Sequence, residues 1–190
     1  IKSKKKNKGK NPSGKSHPKK KKGKKCRRSK VVRRGRTTNK VPRVIVDPGS
    51  EIALVCAIAW TPVEQLNVNT QVFGAIQGSR GDQLSTVHAV TAYEHPTMGT
   101  VLLGAGNAAM TENPEQTESL LNSHVLRVNG VTVHSPTERD GGQQLVQVED
   151  LIIKLDFKDT ATLSFETRKP TSNELASLKI YWMIHKIPDK

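Results

Sequence analysis

Residues 178–185 read L-K-I-Y-W-M-I-H. Leu178, Ile180, Trp182 and Ile184 alternate with Lys179, Tyr181, Met183 and His185, a period of two with one strongly apolar side. Side chains of a strand point alternately to opposite faces, so this pattern predicts a half-buried β-strand. The same reading extends backward through the chain. Residues 41–47 (VPRVIVD) predict a strand ended by the turn signal Asp47-Pro48-Gly49, and residues 51–60 predict a buried strand closed by Thr61-Pro62. Further strands are expected at 70–77, closed by residues 78–82 (GSRGD), at 84–93 and at 99–103. Others are expected at 124–129, 131–134, 145–148, 151–157 and 162–166, punctuated by Gly130, Gly141 and Gly142. Residues 112–121 are polar, carry Glu115 and Glu118, and predict a short helix or lid. About eight to ten short strands with turn residues between them predict an all-β domain, specifically a single jelly-roll sandwich. No internal repeat is visible.

Charge divides the chain into two parts. Of its 31 Lys and Arg, twenty lie in residues 1–40, which contain no Asp or Glu. That leaves eleven against all 17 acidic residues in 41–190, a net of −6 behind an arm of +20. Residues 1–40 hold little to bury beyond Ile1, Cys26, Val31 and Val32, and Gly, Pro, Ser and Asn interrupt any helical period. High charge with low hydrophobicity predicts disorder until a partner arrives. The expected division is therefore a disordered polybasic arm, 1–40, and a jelly-roll β domain, 41–190.

A polycation this dense calls for a polyanion, and nucleic acid is the default partner. Lys4, Lys5, Lys6, Lys19, Lys20, Lys21, Lys22, Lys24, Lys25, Arg27, Arg28, Lys30, Arg33, Arg34 and Arg36 are the candidate RNA-binding residues. Each phosphate they neutralise releases condensed counterions, so binding should weaken steeply with salt. The arm has no aromatic residue on which a base could stack. It should read charge rather than sequence. Lysines outnumber arginines fifteen to five there, and Lys meets phosphate as a point charge rather than a bidentate fork. A nuclear address in residues 19–25 or 24–30 and a plain solubilising tail are weaker readings, because twenty charges exceed what either needs. No amphipathic segment accompanies the charge, so no membrane partner is expected.

Other chemistry is thin. Cys26 and Cys56 are too few for a disulfide framework and suit a reducing compartment. The longest apolar run, residues 52–60 (IALVCAIAW), is far short of a membrane span. Residues 101–109 (VLLGAGNAA) place Gly104-x-Gly106-x-x-Ala109 after a strand, as in a dinucleotide fingerprint. Asn113-Pro114 interrupts the helix that should follow, and no second βαβ unit appears, so a glycine-rich turn is expected instead. His88, His95, His124, His134 and His185 lack metal-ligand spacing, and His17 stands alone in the arm. Cys56 reads as core, and Arg80-Gly81-Asp82 reads as a turn. No enzyme activity and no cofactor is expected. Glu112, Glu115, Glu118, Glu149, Asp150, Asp156 and Asp159 recur near element ends, where subunit contacts could pair them around a divalent cation.

A basic arm on an acidic β domain is also the plan of small icosahedral virus coat proteins. Residues 40–48 (KVPRVIVDP) resemble the arm-to-body junction of the bromovirus-type (Bromoviridae) plant virus coat proteins. Residues 51–60 match the Ala- and Trp-containing strand that follows there. Residues 96–101 (PTMGTV) resemble a segment of theirs with Pro before Gly-Thr-Val, and residues 178–188 resemble their closing strand. The resemblance covers about a fifth of the chain in short blocks. Two features depart from it: that family's arm is Arg-rich, and it has a C-terminal clamp, whereas two residues follow Pro188 here. No C-terminal exchange is carried over.

The resemblance implies a capsid protein that self-assembles into a shell in the host cytoplasm, becomes part of the virion, and packages single-stranded RNA through its arm. A single-stranded DNA capsid and a non-viral nucleic-acid-binding β protein are the alternatives.

Overall fold

The computed structural model describes residues 41–72, 82–135, 142–158 and 162–185. The expected arm, 1–40, lies outside them, as do residues 73–77 of the third expected strand, Arg80 and Gly81 of the tripeptide, and Asp159. The described residues form twelve strands and two short helices. In chain order these are β1 (Arg43–Val46), β2 (Leu54–Cys56), β3 (Thr61–Val72), β4 (Asp82–His95), β5 (Gly99–Thr111), β6 (Glu118–Leu121), α1 (Ser123–Val128), β7 (Thr132–His134), β8 (Leu145–Val148), β9 (Leu151–Lys154), β10 (Asp156–Lys158), β11 (Thr162–Glu166), α2 (Ser172–Ser177) and β12 (Ile180–Ile184). The chain is mostly β, as its turn-punctuated apolar segments predict.

The larger sheet runs β10-β11-β1-β6-β2-β5-β4-β3. Its pivot is β5. One edge of β5 pairs antiparallel with β4. Its other edge is shared, with β12 alongside residues 102–105 and β2 alongside residues 109–111, both parallel. A third parallel pair joins β1 to β6. The smaller sheet, β7-β8-β9, is antiparallel.

The main core lies between the sheets. Val133, Val146, Val148, Leu151 and Ile153 of the smaller sheet join Val44, Val46, Val87, Ala89, Leu103 and Met183 of the larger one. A second cluster covers the opposite face: Val90, Ala92 and Leu102 meet Leu175 and Leu178 around α2, with Ile180 and Trp182. β4 and β5 are thus buried on both sides, which erases polar–apolar alternation and leaves near-continuous apolar runs.

A bulge switches the faces of β5. Ala105 opposes Ala89 and Ala108 opposes Val87, so both Gly106 and Asn107 stand across from His88. Asn107 takes φ 51°, a left-handed conformation Asn tolerates better than most residues. Before the bulge Val101, Leu103 and Ala105 enter the main core; after it Ala108 and Met110 do. The extra residue moves the buried register from odd to even positions.

Several expectations are corrected. Residues 51–60 contribute only the three-residue β2. A turn follows, with Ala59 and Trp60 N–H both donating to the Cys56 carbonyl, and Thr61-Pro62 opens β3 rather than closing a strand. Pro62 fits there because β3 is the outermost strand of the sheet among the described residues. Residues 112–121 form a turn and then β6, not a helix. Asn113 Oδ1 accepts from Glu115 N–H at 3.0 Å, the local bond that makes Asn a turn residue. Residues 124–129 are not a strand but lie in α1 and its C-cap. Asn122 Oδ1 accepts from His124 N–H and Val125 N–H, while Gly130 (φ 82°) and Val131 close the far end by donating to Arg127 and Leu126 carbonyls. That paired closure around a left-handed glycine is a Schellman motif. The single segment expected at 151–157 divides at Leu155 into β9 and β10, which belong to different sheets. In β12 the apolar-looking side is the less buried one. Ile180 and Trp182 are half-buried against Val90, Ala92 and Leu102, while Tyr181, Met183 and, past the register shift after Trp182, Ile184 enter the main core.

Candidate functional site

The fifteen candidate RNA-binding side chains, Lys4 through Arg36, lie outside the described residues, and so do His17 and Cys26. What is described is the place where the arm joins the body. Arg43 opens β1 between β6 and β11, in register with Glu118 on one side and Glu166 on the other. The Pro42 carbonyl accepts from Thr167 N–H, and Arg43 N–H donates to the Thr117 carbonyl, each at 2.9 Å. The junction is therefore built into the sheet before β1 begins, and Val41 is half-exposed just outside it.

The other sequence candidates are scattered. Cys56 is fully buried, with its Sγ 3.2 Å from Ser119 Oγ. Gly104-x-Gly106-x-x-Ala109 is strand rather than turn. A Cβ on Gly104 would stand 2.5 Å from Trp182 Cε3, so that glycine makes room for an indole. Gly106 belongs to the bulge. His88 is buried at the bulge; its Nδ1 accepts from Asn107 N–H at 3.1 Å, and its Nε2 lies 3.9 Å from a Glu64 carboxylate oxygen. The Nδ1 acceptor role places the proton of a neutral ring on Nε2. His95 Nδ1 accepts from Thr97 and Met98 N–H, and its Nε2 lies 3.1 Å from the Ile152 carbonyl, tying the β4–β5 turn to β9. Among the described residues no three His, Cys, Asp or Glu side chains could hold a metal.

One cluster escaped sequence reading. Arg168 Nη1 and Nη2 donate to the two Glu174 oxygens at 2.9 and 2.6 Å, and its Nε donates to Glu94 at 2.8 Å. Its carbonyl accepts from Ala92 N–H and Thr91 Oγ1. The guanidinium thus fastens α2 to the β4–β5 hairpin through a planar, bidentate contact. The Arg168 hydrogen bonds, then the Thr171 backbone N–H, hold the Glu174 carboxyl down at about 2, and the Glu174 pairing in turn pushes Arg168 upward. Thr171 and Glu174 also make a reciprocal capping box at the start of α2. The spacing Thr171-x-x-Glu174 after Pro170 was the available signal for this helix. Elsewhere, Lys179 Nζ pairs with Glu149 and lies 4.5 Å above the Tyr181 ring, and Glu149 pushes the Lys179 pKa up. Burial, with Asp156 nearby, raises the Tyr93 phenol.

Comparison with protein-family models, curated proteins and solved structures finds no match for this chain.

Proposed function

We propose that this chain is a viral coat protein whose β domain builds a shell and whose arm packages single-stranded RNA. The observation that carries the reading is the segregation of charge: +20 in residues 1–40 against −6 in the rest. A body meant to bind nucleic acid over its own surface would carry basic residues there. This one carries an excess of acid and leaves the polyanion to the arm.

In this reading the body is a jelly-roll shell domain, with two sheets around one core and the β3–β4–β5 meander as its largest part. The parallel pairs β1–β6, β2–β5 and β12–β5 are departures from a purely antiparallel roll. Assembly needs no catalysis. Arm–RNA attraction offsets repulsion between arms, and contacts between bodies set the geometry. A smallest icosahedral shell of ~60 subunits would bring roughly 1,200 arm charges, the order needed against a small genome segment. The protein would act in the host cytoplasm and end in the virion.

Deleting residues 1–40 should abolish RNA packaging and leave a folded β domain. Electron microscopy of the purified full chain should show regular shells containing ribonuclease-sensitive nucleic acid. A truncated protein that still packages RNA would overturn the assignment. A deoxyribonuclease-sensitive content would make it a DNA capsid, and a chain that stays small on a sizing column would make it a cellular binding module.

A further inference from the structure

His88 is a buried titratable side chain that the shell reading does not use. Val87 and Ala89 on either side of it enter the main core, so His88 turns to the opposite face of β4, with Val90. Three elements meet it there. Across one edge of β4, Glu64 of β3 is its partner in register and brings a carboxylate oxygen to 3.9 Å from Nε2. Across the other edge stand Gly106 and Asn107 of the β5 bulge, and Asn107 N–H donates to Nδ1 at 3.1 Å. Trp182 of β12 meets the ring in a T-shaped contact, centroid to centroid 6.4 Å. Of these four facing residues Glu64 alone is titratable.

The bond from Asn107 needs a lone pair on Nδ1, which only the neutral ring has; in the imidazolium both nitrogens are donors. Protonation therefore sets Nδ1–H against Asn107 N–H, donor against donor. His88 is 3% exposed, so water cannot satisfy the new donor where it stands. Ring or backbone has to move, and the two sides are unequal. The ring keeps a carboxylate near Nε2, whereas Asn107 loses the bond that fixes its N–H while its backbone sits left-handed at φ 51°. We infer that His88 is an acid-sensitive pin of the β5 bulge: neutral, it holds Asn107 in place; protonated, it releases Asn107 and the bulge loosens. That bulge sets which residues of β5 enter the core, so the release reaches the pivot of the larger sheet. Trp182, lying against both His88 and Gly104, is placed to report it. Histidine changes charge in the range that cells control, about pH 5 to 8. The inference stands on the fold and does not depend on the shell reading.

The test uses the full chain, with tryptophan fluorescence followed from about pH 8 down to about pH 5. Emission should change in one sigmoidal step. His88→Asn puts a side-chain oxygen close to the position of Nδ1, able to accept from Asn107 N–H but unable to titrate, and should abolish the step. No step in the parent chain, or a step that persists in His88→Asn, overturns the proposal. A second measurement needs no substitution. Hydrogen exchange of the peptide spanning residues 104–109, corrected for the slower chemistry of exchange in acid, should quicken several-fold across the same pH range. The strands of the smaller sheet should keep their protection. Unchanged exchange at 104–109 overturns the proposal even where His88→Asn fails to fold. Quickening shared equally by the smaller sheet overturns it too, because the acid response is then unfolding of the whole domain.

Discussion

Gly104 lies beneath the Trp182 ring, where a Cβ would come within 2.5 to 2.9 Å of three ring carbons. Gly104→Ala therefore has to push an indole that also makes a T-shaped contact with the His88 ring, and overpacking of this kind costs roughly 1–3 kcal/mol. Urea denaturation should show that loss, and Trp182→Leu should recover part of it in a double-mutant cycle. A second residue-scale expectation concerns Glu174. Its folded carboxyl lies at about 2 against an ordinary 4.5, so the Arg168 contact stabilises the fold fully above pH 4.5. That stabilisation drains away as pH falls from 4.5 toward 2, because the unfolded chain takes up the proton first. Glu174→Gln should flatten the stability profile over that window, and salt should weaken the effect because Arg168 is partly exposed. Equal slopes for both proteins would show that the pair carries no linkage. Arg168 and Glu174 are six residues apart, but Arg168 also meets Glu94 and lies beside Ala92, and Gly104 meets Trp182, all far apart in the chain.

At the scale of elements, α1 depends on its ends. It has six residues, too few to hold a helix by propensity, so Asn122 and the Gly130 closure define it. Asn122 caps two N–H groups and also donates to the Ser50 carbonyl. Asn122→Ala should cost about 0.5–2 kcal/mol and expose the α1 amides to faster hydrogen exchange. Exchange unchanged along α1 would place its stability in the burial of Leu126 instead. The strand–helix confusion at 124–129 follows from the same fact. H-V-L-R-V-N is short and rich in branched apolar residues, as a strand is, and only the flanking Asn and Asn-Gly signals separate the two. The turn at 57–60 and the bulge at 106–107 misled for another reason. Each sits within an unbroken small-residue or apolar run, where composition carries no boundary.

For the whole molecule, the arm should dominate salt dependence. For single-stranded nucleic acid, each phosphate that the arm neutralises adds ~0.7 to the steepness with which log K falls against log salt. Replacing arm lysines with Gln in growing number should therefore flatten that slope in proportion, as a salt titration of RNA binding would measure. A collapse on one substitution would instead indicate specific recognition at that residue.

The β class, most strand positions and the split into basic arm and acidic body were legible in residue order alone. Turn residues, short apolar segments and clustered charge are local properties that one segment carries without its neighbours. Which strands pair, and which face of β12 is buried, were not legible. Those depend on β5 sharing one edge between β2 and β12, on the one-residue shift at Asn107, and on Trp182 packing against the cluster of Val90, Ala92 and Leu102. All three are long-range arrangements. In strands covered on both faces the alternation that would report them is absent, because apolar residues point both ways.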